Sequence, residues 1–241
     1  MRLTGVVIDY GSTRVGPVDA DVPAGTVTVL RGPSGSGKTS LCLALTGFLT
    51  PSSGQVEGDL GVLVPQNPRE WLNPRLTVAE VIEHTWAVRG AGGASDGGTG
   101  SAGGGAGRAG SGASGVGSGA GGVGSRATGA ERGRDAPGTA GDDRCLDALL
   151  DRALLGPELA HHRCGELSGG QAARVCIARA LASGIDTIVC DEPTAALDSS
   201  NAARIAWLIN DLAEAGKTIV WATHDRDLVA ATDTGYSYIT L

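Results

Sequence analysis

The sequence predicts an α/β fold whose parallel strands end at one crevice, and three observations predict it. The first is Gly32-Pro33-Ser34-Gly35-Ser36-Gly37-Lys38-Thr39, which fits G-x-x-x-x-G-K-[ST]. It lies between a β-branched stretch, 26–30, and an apolar stretch, 40–46, that is free of glycine and proline. The other two are apolar runs that end in polar residues. Residues 187–190 lead into Asp191-Glu192, and residues 217–222 lead into Thr223-His224. Polar residues at the carboxyl ends of parallel strands face the ligand crevice of such a sheet.

The residue types in the glycine-rich run set its chemistry. Glycines let successive backbone N–H groups turn inward around an anion, and the helix that follows adds the positive end of its dipole. Lys38 supplies a point charge for the outer phosphates. Thr39, followed by Ser40, offers a hydroxyl to Mg²⁺, a hard cation that prefers oxygen ligands. The chain is therefore expected to bind a nucleoside triphosphate.

Composition narrows the class. Of 40 glycines, 22 fall between residues 90 and 141; the remaining 189 residues have ordinary globular usage and suffice for one full-sized core. A net charge of −7 gives no basic footprint for nucleic acid. No apolar run approaches the roughly 20 residues that span a bilayer. The N-terminus has no signal-peptide core, so no export is expected. Five cysteines without close pairing suit reduced thiols; Cys42, Cys176 and Cys190 lie in apolar runs and read as core residues.

In chain order, short strands are expected over 3–10, 18–22 and 26–30, broken at Gly11, Gly16-Pro17 and Pro23-Ala24-Gly25. That turn density suggests an antiparallel β element ahead of the phosphate loop. Tyr10 is either a base-stacking aromatic or a core residue. Residues 47–54 read as a loop and 60–64 as a strand ending in Pro65-Gln66-Asn67-Pro68. Gln66 is either a turn glutamine or a group that reaches Mg²⁺. Residues 76–86 read as an amphipathic helix, with Thr77 and Glu80 at capping-box spacing. From 90 to 141 the chain is nearly all Gly, Ala, Ser and Thr, a composition that predicts a flexible insertion. A leucine-rich helix is expected over 145–155, with Pro157 opening a further turn. His161-His162-Arg163-Cys164 superficially resembles a metal cluster, but no second ligand pair follows at zinc-site spacing.

Next comes Leu167-Ser168-Gly169-Gly170-Gln171, opening a helix over 172–182. Ser168, Gly169 and Gly170 can donate to a phosphate, or the segment is only a helix cap. Asp191 suits Mg²⁺ through water, and Glu192 suits polarising an attacking water. Asp198 precedes a helix over 201–215, and His224 sits where the γ-phosphate of a bound nucleotide is its natural partner.

In this order, these pieces resemble the ATP-binding-cassette (ABC) ATPases, and L-S-G-G-Q is nearly diagnostic of that family. The resemblance covers the chain outside 90–141. It implies a P-loop NTPase (RecA-like) core from 1–66 and 167–241, an N-terminal antiparallel β subdomain, and a helical subdomain over 67–166 that carries the glycine-rich insertion. Tyr10 then looks like the adenine-stacking aromatic. Lys38 and Thr39 look like the phosphate and Mg²⁺ residues, and Gln66 like the Mg²⁺ sensor that contacts a transmembrane partner. Glu192 looks like the general base, Asp198 like the inter-subunit aspartate and His224 like the γ-phosphate histidine. The family closes Ser168, Gly169, Gly170 and Gln171 over the ATP of an opposite protomer, so the resemblance implies a homodimer or heterodimer. A location at the cytoplasmic face of a membrane, bound to permease subunits, is implied as well. Cys164 departs from the pattern where proline is usual, and Ala172-Ala173 replace longer polar residues.

Cargo is less defined. Residues 65–68 and 72–78 are similar to peptide and nickel importers, and the short link from Gly54 to Gln66 to vitamin and cobalt importers, which favours uptake. Export of small molecules or peptides is the alternative, as is a soluble ABC ATPase acting on DNA or ribosomes. The last usually carries coiled-coil insertions or two cassettes, and neither is present here. No guanine-reading N-K-x-D motif points to a GTPase.

Overall fold

The computed structural model describes residues 1–9, 14–92, 145–195 and 197–241. Tyr10 and the insertion expected over 90–141, apart from its first three residues, lie outside the described residues.

Two sheets organise the chain. Strands β1 (Arg2–Asp9), β2 (Arg14–Asp21) and β4 (Ser53–Glu57) form an antiparallel sheet in the order β2-β1-β4. Strands β3 (Val27–Arg31), β5 (Val62–Val64), β6 (Thr187–Asp191), β7 (Thr218–Ala222) and β8 (Ser237–Thr240) form a parallel sheet in the order β5-β6-β7-β3-β8. Every residue of β6 and β7 is buried, as expected for central parallel strands covered on both faces. Alternate residues enter separate cores. Ile188, Cys190, Ile219 and Trp221 pack on one side, while Val189, Val220 and Ala222 pack on the other. Helix α1 (Lys38–Leu45) and the antiparallel sheet complete the second core. The first is completed mainly by α5 (Gly169–Ala182) and α6 (Ser199–Glu214).

Between β5 and α5 the described segments are helical: α2 (Pro68–Trp71), α3 (Val78–Gly92), α4 (Leu146–Arg152) and two 3₁₀ turns. The Thr77 cap is formed as expected. Thr77 N–H donates to Glu80 Oε2 at 2.7 Å, and Glu80 N–H donates to Thr77 Oγ1 at 3.2 Å. Helix α7 (Arg226–Thr232) follows β7 and leads to the edge strand β8.

Several boundaries differ from the sequence reading. Gly16-Pro17 lies inside β2 rather than between strands, which proline tolerates because β2 is an edge strand. Gly16 takes φ +99, and a Cβ there would sit 2.2 Å from the Val6 carbonyl oxygen, so only glycine fits. The loop expected over 47–54 gives way to β4 at Ser53. Helix α3 continues to Gly92, past the residue where the insertion was expected to begin. Among the described residues no group of His, Cys, Asp and Glu is arranged to hold a metal by itself, which includes the 161–164 run.

Candidate nucleotide-binding site

Strand register brings the polar ends together. Asp191 pairs with Ala222, and Ala222 pairs with Leu30, so β6, β7 and β3 finish level with one another. The chain then leaves the sheet as Glu192, as Thr223-His224 and, one residue further along β3, as Gly32, all at one edge.

The loop between β3 and α1 is a compact turn. Ser36 N–H donates to the Pro33 carbonyl at 3.2 Å, and Gly35 and Gly37 adopt φ +80 and +98. Gly37 caps α1 in a left-handed conformation beneath Val15 of β2; a Cβ there would meet Val15 Cγ2 at 2.3 Å. Lys38 opens the helix and turns back over the loop. Its Nζ donates to the carbonyls of Gly32 at 3.0 Å and Pro33 at 3.1 Å, and lies 3.4 Å from Glu192 Oε1. The other Glu192 oxygen is 3.1 Å from His224 Nδ1, where a protonated ring nitrogen donates to the carboxylate. Lys38, Glu192 and His224 thus form one connected network.

Asp191 lies beneath it, 4% exposed. Burial pushes its carboxyl up from the ordinary range, and a hydrogen bond from the Thr39 side chain opposes that shift. Its Oδ1 has no partner, and neither does the buried Ser36 Oγ. An orphaned oxygen within the glycine-rich loop and another on Asp191, beside the Thr39 hydroxyl and the Lys38 ammonium, fit a polyanion with a hard cation. Gln66 is exposed, two residues beyond Val64, which pairs with Cys190 beside the site. It lines a cavity of about 450 Å³ with Arg69, Gly169, Pro193 and Leu197.

A second cluster holds the remaining expected residues. Ser168 caps α5 in a reciprocal box: its Oγ accepts from Gln171 N–H at 3.2 Å, and Gln171 Oε1 accepts from Ser168 N–H at 2.8 Å. Asp198 caps α6, accepting from Asn201 N–H at 3.0 Å and Asn201 Nδ2 at 2.7 Å. The Asn201 N–H holds its carboxyl below the usual range. Gly170 packs on Asn201, so the two helix starts are neighbours; a Cβ on Gly170 would lie 3.2 Å from Asn201 Cγ. Among the described residues no hydrogen bond or ion pair joins Ser168 or Asp198 to the Lys38–Glu192–His224 network. Val15 and Arg69 went unremarked in the sequence; each acts through a contact between distant segments, and neither lies in a recognisable motif.

Residues 15–195 match the family described as ABC transporter. The chain belongs to the ABC transporter family. An uncharacterized ABC transporter ATP-binding protein of Mycobacterium tuberculosis is 31% identical over 245 residues, covering 97% of this chain. A second such protein from that species is 29% identical over 238 residues, again covering 97% of this chain. The chain spans 63% of the length of each. It is also 50% identical over 82 residues to the macrolide export ATP-binding/permease protein MacB of Nitrosomonas europaea, which covers 34% of this chain and 12% of that protein. Among solved structures, a dimeric bacterial ABC transporter cassette has a TM-score of 0.63 and 25% identity, covering 99% of this chain and 94% of its own. The cbiO1 protein of Clostridium perfringens, part of an ABC transporter complex, has a TM-score of 0.65 at 23% identity, covering 98% and 83%. These neighbours support the P-loop α/β cassette fold. Among its described residues no helix is long and apolar enough to cross a membrane.

Proposed function

We propose that this ABC cassette hydrolyses ATP in a head-to-tail dimer and drives a solute through separate permease subunits. The observation that carries this reading is the Lys38–Glu192–His224 network at the sheet edge, unconnected to the exposed Ser168 turn. One chain then supplies half of each site. Lys38 and the N–H groups of 32–39 hold the triphosphate, while Thr39, Asp191 and Gln66 hold Mg²⁺. Tyr10 stacks on the base. The bound cation neutralises phosphate charge. Glu192 accepts the proton of the attacking water, and His224 fixes the orientation of that carboxylate. Ser168, Gly169, Gly170 and Gln171 of a second copy close over the phosphates, with Asp198 at the same contact.

A surface groove supports the permease. It has a volume of about 570 Å³ and is lined mainly by apolar side chains, including Trp71, Leu76, Val81 and Ile185, with Arg89 and Arg179 beside them. Phe48, 65% exposed, stands edge-on to Trp71 at 5.9 Å and extends the apolar surface. This face suits a short apolar segment of a membrane subunit, which supports a position at the cytoplasmic side of a membrane.

Uptake of a peptide, metal or vitamin follows the motif similarities around Gln66. Export is the second reading, favoured by the identity with the MacB segment. The deciding experiment is ATP turnover by the purified chain with and without its permease, followed by cargo flux in sealed vesicles. Activity without ATP dependence, or turnover undiminished in Ser168→Ala, rejects the composite site. The direction of flux separates uptake from export.

A further inference from the structure

The four-residue helix α2 follows Gln66 by one residue and has no long axis of its own, yet it is fastened to α5 at two points and to Leu167, just ahead of α5, at a third. A short helix leaves its carbonyls without internal partners. The Trp71 carbonyl accepts from Arg179 Nη1 at 3.1 Å, and the Pro68 carbonyl lies 3.9 Å from the Cys176 thiol sulfur. The third tie runs the other way: the Arg69 guanidinium donates to the carbonyl of Leu167. Leu167 is buried and immediately precedes Ser168, the cap of α5. Arg69 also lines the cavity shared by Gln66 and Gly169.

We propose that Arg69 is a positioning residue that holds the Ser168 turn in place relative to the Gln66 segment. This rests on the composite-site reading above. Arg179 and Cys176 attach α2 to the body of α5, well inside the helix. Among the described residues, Arg69 is what attaches it to the residue that leads into the cap. Loss of that bond frees the Leu167 carbonyl and lets the turn shift while α5 and its core stay packed. A displaced Ser168 no longer meets the phosphates held by the other copy. The Lys38 loop, in a different part of the chain, is untouched.

Arg69→Ala is therefore expected to lower kcat about 10- to 100-fold, the range that a displacement of roughly 1 Å produces. The ATP affinity of the full chain, measured by equilibrium binding, stays within about twofold of wild type, because misplacement of a group that acts in the transition state lowers turnover rather than binding. Arg69→Lys, which keeps an N–H donor on a long stem, recovers part of the turnover. In a Ser168→Ala background, Arg69→Ala causes no further loss, since both act through one group. The inference is overturned by normal kcat in Arg69→Ala, by an undiminished loss in the Ser168→Ala background, or by Arg69→Lys as slow as Arg69→Ala. Failure of both Arg69 variants to fold also overturns it, because the bond is then a support for the fold. Normal Arg69→Ala turnover with an inactive Ser168→Ala leaves the composite site standing; normal turnover in Ser168→Ala removes that reading itself.

Discussion

Lys38 Nζ lies 3.4 Å from Glu192 Oε1, with the lysine 5% and the glutamate 15% exposed. The ammonium and the carboxylate therefore neutralise one another. On the proposed reading, a bound phosphate would draw Lys38 away from Glu192 and leave that carboxylate free to accept a proton.

This relationship makes Glu192→Gln informative beyond the loss of a base. Turnover should fall by at least about 100-fold, the usual worth of a general base. ATP affinity should hold or rise, because the amide no longer competes for Lys38. Steady-state hydrolysis and equilibrium binding measure the two effects, and sizing in ATP should show a trapped dimer. Near-normal turnover would remove Glu192 from the role.

Gly37→Ala tests the loop geometry. The substitution meets both φ +98 and Val15 Cγ2 at 2.3 Å. It should cost the loop more than about 1 kcal/mol and weaken ATP binding at least tenfold. Adding Val15→Ala removes the Cγ clashes but leaves Val15 Cβ at 3.0 Å and the backbone conformation unchanged, so rescue should be partial. Full rescue would show that the side-chain contact alone demands glycine.

Thiol chemistry checks the cores. Cys42, Cys164, Cys176 and Cys190 are buried, and Cys145 is exposed. Burial pushes the Cys176 thiol up to about 11 and Cys190 up to about 12, so little reactive thiolate exists near neutrality. An aqueous thiol reagent should modify Cys145 alone in the native chain and all five in denaturant. Mass spectrometry counts the adducts, and rapid native labelling of Cys190 would contradict the packing of β6.

The Thr77–Glu80 cap gives a pH prediction. The Thr77 N–H, and then its hydroxyl, hold the Glu80 carboxyl below its ordinary value of 4.5. A depressed carboxylate contributes stability that is fully present above its unfolded value and lost as pH falls through the native one. The Tm difference between wild type and Glu80→Ala should thus be constant near neutrality and shrink below about pH 4.5. A difference that grows with acid would refute the cap's electrostatic part. Thr77→Ala should cost about 1 kcal/mol.

The sequence was most legible where a residue's role is local. The phosphate loop, the Ser168 box and the Thr77 cap are each written within a few consecutive positions. The buried strands β6 and β7 stand out as unbroken apolar runs. Two of the edge strands were not legible. In β4 only Val56 is even partly buried, and in β8 only Ile239 is fully buried, so neither carries a hydrophobic signal. Helix α2 is too short for any period. The site itself was harder still: the meeting of Lys38 with Glu192 joins residues 154 positions apart, and it exists only because β3, β7 and β6 end level. The Gln66 alternatives could not be separated within its own proline-flanked turn; the cavity that Gln66 shares with Gly169 is made by distant chain.

Glu192 also holds φ +46, a left-handed backbone rarely used by side chains other than glycine and asparagine, and its N–H is tied to Ala222 at 2.9 Å. Glycine would rest at that position without the penalty of about 1 kcal/mol that a side chain incurs there. A chain selected for resistance to heat alone would drift towards glycine at 192 and lose its carboxylate. On the proposed reading, the most durable version of this sequence and the version that would turn over ATP are therefore different molecules.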